Sequence, residues 1–376
     1  MGGLEVNTHE LAKALSKKGH NVVVLTSNFG LWNLPLHEKI DDVEIFRLPF
    51  HLFKGSVKSL LAFLLCFPIA LIGTCALIRK FDPDIINVHY GGITGLYILL
   101  AEFFKPVPLV VTLHGNEIID IPDVPQMGDK FYARTKLMQR IYHSLLKRAD
   151  HITAVSEFLL KTAHDLYNLD ESKSTRIFMG GFRPQQGKDS SISIHEPFIL
   201  AIGRLTKQKG FDLLIEAFKP LAEIHKDISL VIIGDGPERE HLSEKIRHHN
   251  LADRIILKGS LQRDKIPPYL EECLFMVLSS RWEGLGSVIL EAFSFGKPVV
   301  APAVGGILEI VLDNINGLLT EKGNIPQLTE AMEKLLTNES LRKGLGIAAK
   351  NFMHEIGGYE KCAERYLEVY RQILSS

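Results

Sequence analysis

Short β-branched runs alternate with longer stretches of helical periodicity, and they do so twice along the chain. In the first half the expected strands are 21–26, 43–48, 84–89, 109–113 and 151–155; in the second they are 198–202, 229–233, 254–257, 275–278 and 298–301. Between them lie helical patterns such as 210–225, where Leu213, Leu214, Ala217, Phe218 and Leu221 recur at helix spacing. Strands joined by crossover helices build parallel sheets covered on both faces, so the expected class is α/β, with two doubly wound, Rossmann-like domains. The polar, Pro-, Gly- and Ser-rich stretch RPQQGKDSSISIHEP at 183–197 reads as the linker between them. The expected domains are therefore 1–182 and 198–355, with a tail at 356–376. That tail is expected to be a helix packing back on the first domain, with Cys362, Ala363, Tyr366, Leu367 and Tyr370 on one face. Such sheets bind ligands at the carboxyl ends of their strands, here expected to meet across a cleft. The first element is a helix after Gly2 and Gly3, so the first domain reads as starting one strand late, as in a truncated chain.

At 376 residues, with 46% apolar and 23% charged, the chain is long enough for two ordinary cores. A net charge of −1 gives no global field for nucleic acid, which is not expected as a partner. Cys66, Cys75, Cys273 and Cys362 lack metal-ligand spacing and read as reduced thiols of a cytoplasmic protein. Met-Gly-Gly leads straight into a polar helix pattern, without the look of a secretory signal. One stretch stands apart. LLAFLLCFPIALIGTCALI, 60–78, carries no charge and is flanked by Lys54, Lys58, Arg79 and Lys80. As a helix it would reach roughly 28 Å, barely a bilayer core. It contains Pro68 and Gly73 and no second span follows, so a buried core helix is the first expectation and a membrane-surface helix with snorkelling basic ends the second.

Several strand ends carry chemistry-bearing residues. ILAIGRLTKQKG, 199–210, runs from a buried strand to Gly203, Arg204 and Lys209. Two cations at a strand's carboxyl end suit a diphosphate, Arg as a planar fork and Lys as a point charge. VIIGDGPE, 231–238, reads first as a plain strand-to-helix turn. RWEGLGSVILEAFSFGKPVV, 281–300, places Glu283 and Glu291 on either side of a glycine turn. Gly284 and Gly286 permit a tight loop before a helix from Ser287, whose amino-terminal dipole suits an anion. Glu291 lies among Ile289, Leu290, Ala292 and Phe293, where an acid without partners is costly. Carboxylates accept hydrogen bonds from paired hydroxyls, which a sugar or ribose presents. His114 closes a strand in LHGNE, and His89 ends INVHYG in the same way; each taken alone reads as a structural histidine.

Together these residues resemble a retaining glycosyltransferase of the GT-B fold, glycosyltransferase family 4. The resemblance runs along nearly the whole chain: GGLE at 2–5, KKGHNVVVLT, VTLHGNE, GRLTKQKG, GDGPE, the E-x7-E element EGLGSVILE, and VGGILEIVLDNINGLL at 304–319. It implies that Arg204 and Lys209 hold the diphosphate of a nucleotide sugar, with the Gly203 turn beside them and the Gly3 amide closing from the other domain. It also implies that Glu283 binds sugar hydroxyls, aided by backbone at Gly284, Leu285, Gly286 and Ser287. Glu291 would take the ribose hydroxyls, the backbone near Leu261 would meet the base, and His114 would act near the reacting sugar. Arg263, near the base, is compatible with uridine and guanosine alike. No DxD-like metal element stands out, so neither a metal nor a further cofactor is expected.

The expected reaction is hexose transfer from a UDP- or GDP-sugar to a lipid-linked or saccharide acceptor in cell-surface polysaccharide or glycolipid synthesis. The basic-flanked segment makes peripheral association with the inner membrane face part of that expectation. Two rivals remain: an epimerase of the same fold acting on UDP-N-acetylglucosamine, against which E-x7-E argues, and a sugar-nucleotide-binding protein without activity.

Overall fold

The computed structural model describes residues 3–28, 34–51, 57–89, 91–115, 136–180, 194 and 196–375. They fall into two compact units, one of them Met179–Gly358 and the other the residues before and after it. The expected linker at 183–197 and the Gly2 turn lie almost wholly outside the described residues, whereas the Gly3 backbone opens the first helix.

The amino-terminal unit begins with helix α1 (Gly3–Lys17) and strands β1 (Val23–Ser27), β2 (His37–Ile40) and β3 (Val43–Leu48). Helix α2 (Val57–Phe81), β4 (Ile86–His89), α3 (Ile93–Glu102), β5 (Leu109–Leu113), α4 (Lys136–Arg148), β6 (His151–Ala154), α5 (Glu157–Tyr167) and β7 (Ser174–Arg176) follow. They form two sheets among the described residues, one ordered β1-β3-β2 and the other β4-β5-β6-β7. The second is parallel throughout, and β1 also runs parallel to β3, while β2 is antiparallel to it. Helix α5 shows local sequence choices at both ends. The Ser156 hydroxyl caps it by accepting from the Leu159 amide, and Asn168 closes it in the left-handed region at φ 49°.

The carboxyl-terminal unit is built from β8 (Phe198–Ile202), α6 (Phe211–Ile224), β9 (Ser229–Ile233), α7 (Arg239–His248), β10 (Ile255–Gly259) and α8 (Pro267–Glu272). Then come β11 (Met276–Val277), α9 (Ser287–Ser294), β12 (Val299–Pro302), β13 (Gly317–Thr320), α10 (Ile325–Thr337) and α11 (Glu339–Ile356). The six strands pair in the order β10-β9-β8-β11-β12-β13, all parallel. Counted within the unit, that is the doubly wound order 3-2-1-4-5-6. Both faces are covered, so β8 and β9 are apolar runs rather than alternating ones. Phe218 from α6 and Phe275 beside β11 are fully buried in this core. Sequence order reverses between β8 and β11, and crossovers leave that point in opposite directions, so a crevice opens at the carboxyl ends of those two strands.

The last helix, α12 (Tyr359–Ser375), belongs to the amino-terminal unit and packs on α1. Tyr359 donates a buried hydrogen bond of 2.5 Å to the Asn7 side chain, and Lys18 pairs with Glu364 at 2.6 Å. Tyr366 and Tyr370 lie over the β4–β6 sheet, where Asn87, Thr112 and Thr153 link neighbouring strands by side-chain hydrogen bonds. The first expectation for the 60–78 stretch does not hold: α2 buries Ala70, Thr74 and Ile78, while the rest of its length is exposed or half-buried. All four cysteines are free, with Cys273 and Cys362 buried.

Candidate active site

Both loops bearing the expected diphosphate and sugar ligands leave the sheet where β8 meets β11. β8 runs into Gly203 and Arg204 and then a short helical turn at Lys207–Lys209; β11 runs into Ser279–Glu283. The loops are clamped together. Arg281 donates its amide to the Gln208 carbonyl at 2.7 Å, and the buried Gln208 side chain returns a bond to the Trp282 carbonyl at 3.0 Å. The Arg281 guanidinium forks onto Asp212 at 2.8 and 2.7 Å, and also reaches the Lys207 carbonyl at 2.7 Å. Burial works to raise the Asp212 pKa, but Arg281 outweighs it and holds the carboxyl below the usual carboxylate value. Gly210 sits between the loops at φ 62°, where a Cβ would stand 2.1 Å from the Ser279 carbonyl oxygen. Only glycine satisfies both conditions.

This clamp brings Lys209 and Glu283 into contact. Lys209 Nζ lies 2.5 Å from Glu283 Oε1, and the Ser280 hydroxyl donates to the same oxygen at 2.7 Å. The Glu283 side chain is 7% exposed and that of Lys209 is 21% exposed, so the pair is largely shielded from water. Lys209's aliphatic stem runs along Gly203. Arg204 is exposed and has no acidic partner among the described residues. One cation is thus held by a carboxylate, while the other, five residues earlier in sequence, is exposed to solvent.

The loop after Glu283 depends on close backbone approach. The Gly306 amide donates to the Glu283 carbonyl, and a Cβ on Gly306 would lie 2.1 Å from the Gly284 oxygen. Leu285 is buried, and Gly286 turns at φ 83° to start α9 without a side-chain cap. The Ile289 amide donates to the Gly286 carbonyl at 2.8 Å, and the Ser287 and Val288 amides before it are donors that a helix start leaves without intrahelical partners. Glu291 lies just over one turn further on, largely buried, with Arg263 Nη1 3.5 Å from its Oε1. Burial raises the Glu291 pKa and the Arg263 charge opposes that rise. Leu261 is half-buried in the same loop as Arg263, after β10. The GDG turn is more than a plain connection. A Cβ on Gly234 would meet the Gly203 oxygen at 1.9 Å, and one on Gly236 would meet the Leu205 oxygen at 2.4 Å. These glycines exist to seat the Gly203–Leu205 backbone, which carries Arg204.

In the amino-terminal unit, His114 follows β5 and His89 ends β4. Their rings meet, with Nδ1 of His89 3.0 Å from Nε2 of His114. Taken alone each reads as a structural histidine, and the resemblance gives only His114 a role at the sugar; neither reading anticipates their contact, although consecutive parallel strands are usually neighbours and both histidines close theirs. Such a contact needs one nitrogen to donate and the other to accept. Burial lowers the His89 pKa from 6.5 to about 4. The His114 pKa is also lowered, by burial first and by His89 second. The folded protein therefore binds these protons less readily than the unfolded chain does. Stability is full above the ordinary histidine pKa of 6.5 and falls as pH drops from there towards about 4. A His89→Gln variant is expected to show a shallower loss of melting temperature across that window than the parent. Equal slopes would mean that His89 contributes nothing to the acid sensitivity. Among the described residues no group of three or more His, Cys, Asp or Glu is close enough to hold a metal ion.

Comparison with known proteins matches the same two segments. Residues 1–180 match the family described as Glycosyltransferase Family 4, and residues 182–352 match Glycosyl transferases group 1. An uncharacterized glycosyltransferase of Methanocaldococcus jannaschii is 32% identical over 294 residues, covering 77% of this chain and 76% of its own. Sucrose-phosphate synthase from Thermosynechococcus elongatus superposes with a TM-score of 0.82 at 20% identity, covering 100% of this chain and 94% of that one. HepE of Anabaena, solved in complex with UDP and glucose, gives a TM-score of 0.74 at 21% identity over 98% of this chain and 95% of that one.

Proposed function

This chain belongs to glycosyltransferase family 4, and from that footing we propose that it transfers a hexose from a nucleotide diphosphate sugar to a lipid-linked or saccharide acceptor. It is a glycosyltransferase with the GT-B fold. The proposal adds that transfer retains the anomeric configuration and needs no metal, and that the product is a polysaccharide or glycolipid. The observation carrying it is the Lys209–Glu283 pair at the carboxyl ends of β8 and β11, the crevice where a doubly wound sheet takes its ligand.

Each residue's role follows from its chemistry. Arg204, exposed and five residues before Lys209, supplies a planar fork to a diphosphate oxygen pair, and Lys209 supplies a compact charge. Both contacts to Glu283 fall on Oε1, so Oε2 is the oxygen that would receive sugar hydroxyls. The Ser287 amide at the start of α9, with the Leu285 and Gly286 amides of the turn before it, would donate to the same anion. Glu291 is assigned to the ribose hydroxyls and the backbone at Leu261 to the base. His114, and the Gly3 amide with it, are assigned roles at the donor on the strength of the resemblance alone. As the C1–O bond of the donor breaks, negative charge gathers on the departing diphosphate, where Arg204, Lys209 and the amides stabilise it. The acceptor hydroxyl attacks C1 from the same face and gives its proton to the departing phosphate oxygen. The four free cysteines support a reducing, cytoplasmic setting. The UDP and glucose in the Anabaena structure support a UDP-hexose as the first donor to test.

A thermal-shift panel of UDP- and GDP-sugars tests the first step. A donor at a hundred times its Kd stabilises by about 2.7 kcal/mol, so one member should raise the melting point by several degrees. Added acceptor should then release the nucleoside diphosphate at a rate unchanged by EDTA, with the donor's anomeric configuration kept in the product. An inverted product or an EDTA-sensitive rate would overturn the mechanism. Interconversion of donors without transfer would identify an epimerase, and stabilisation without turnover a binding protein.

A further inference from the structure

Helix α2 carries an apolar face that no described residue of its unit covers. Val57, Leu61, Leu64, Leu65, Ile69 and Ile72 are each more than half exposed, although the side chains are large and apolar. At 100° per residue they form one stripe, opposite the buried Ala70, Thr74 and Ile78. No acidic residue occurs anywhere in the helix. Lys58 lies at one end of the stripe and Arg79 at the other, about 32 Å apart along the axis, and both are on the exposed face. Neither has an acidic partner among the described residues. Lys80, by contrast, turns back over the Phe46 and Phe81 rings. Exposed apolar stripes of this length on soluble proteins mark an interaction surface.

The buried face says how the helix is held. Ala70 joins Phe50, Ile93 and Tyr97 in one cluster, the Phe67 ring lies tilted 5.3 Å from that of Tyr97, and Ile78 joins Ala101 and Val107 in another. A Cβ on Gly73 would stand 2.9 Å from Leu48 of β3, so the helix backbone lies close on the sheet. Crossing a bilayer would strip α2 from β3 and α3 and open both clusters. Lying along a surface leaves them intact.

We propose that this face of α2 docks the protein on an anionic lipid bilayer, the apolar stripe at the acyl boundary and Lys58 and Arg79 at the headgroups. Long basic side chains at both ends of an apolar stripe match that interface: their stems stay in the apolar layer while the charges reach phosphate. The attraction to anionic lipid is electrostatic and therefore weakened by salt. This inference stands apart from the transfer reaction, since vesicle binding needs neither donor nor acceptor.

The test uses the full chain and sedimentation with large vesicles of phosphatidylcholine, with and without phosphatidylglycerol. Binding is expected to phosphatidylglycerol vesicles and to fall at least tenfold in pure phosphatidylcholine or at high salt. Leu65→Asp/Ile72→Asp is expected to lower partitioning at least tenfold with an unchanged melting temperature, because both side chains point to solvent. Should that variant misfold, Lys58→Glu/Arg79→Glu provides the second arm, removing the preference for anionic vesicles. Unchanged binding in both variants would sink the proposal. So would a lipid-free dimer of the parent that the Asp variant dissolves, which would mean a second copy covers the stripe. Retention of the parent through a high-salt wash would do the same, because a spanning helix would explain it better.

Discussion

Lys209→Ala is expected to lower turnover tenfold to a thousandfold, and Glu283→Ala is expected to do the same. The loss of one preorganised contact to developing charge has that size. The two variants should nevertheless differ in stability. Removing Lys209 leaves the Glu283 carboxylate in a shielded site with Ser280 as its remaining partner, at a cost of about 1–3 kcal/mol. Removing Glu283 frees a lysine that is more exposed and can turn to water, so the cost is smaller. The double variant Lys209→Met/Glu283→Gln separates the two effects. It has no buried charge, so its melting temperature should return towards that of the parent, while its activity stays at the level of the worse single variant. Donor hydrolysis and calorimetric melting on the four proteins check this. Near-parental turnover in both single variants would remove the site assignment.

Gly234→Ala is expected to be the most damaging single methyl group in the carboxyl-terminal unit. At φ 149° the backbone is in a region L residues rarely adopt, and the added carbon would meet the Gly203 carbonyl oxygen at 1.9 Å. Backbone cannot rotate aside as a side chain can. Strain and displacement together should cost about 3 kcal/mol or more, which in a unit of this size lowers the melting temperature by about 6–12 °C. The displaced segment is the turn that carries Arg204, so donor stabilisation should be lost from whatever fraction folds. Gly323→Ala is the control. It too has a positive φ, 74°, but nothing lies within 4 Å of the new carbon, so only conformational strain of about 1 kcal/mol is expected. Equal melting of the two variants would show that φ, and not the collision, sets the cost.

How far the sequence is legible depends on where each signal resides. β8 and β9 coincide with the expected 198–202 and 229–233, because fully buried parallel strands are apolar runs with sharp ends. Strands β2, β7 and β13 are missed. HEKI is polar and lies at an edge, STR has three residues and no apolar side chain, and GLLT opens on a glycine that reads as a turn. For α2 the composition is apolar on every side, so hydrophobicity alone cannot choose the buried face. The signal that could have done so is size: Ala70, Gly73 and Thr74 cluster on the side that meets the sheet. The Lys209–Glu283 contact joins residues 74 apart in sequence and exists only because β11 lies beside β8. Each residue was legible as a ligand, but their mutual ion pair was not, since strand order is a property of the assembled sheet.

In the amino-terminal unit the β1-β3-β2 and β4-β5-β6-β7 sheets share no strand pairing among the described residues. Their alignment consequently depends on side chains that straddle them, chiefly those of α1, α2 and α12. Lys18–Glu364 and Asn7–Tyr359 tie α12 to α1, and Asn87–Tyr370 ties the same helix to β4. The tail thus works as a suture. Cutting its seventeen residues away would leave two half-sheets whose backbones have no ladder to keep them in step.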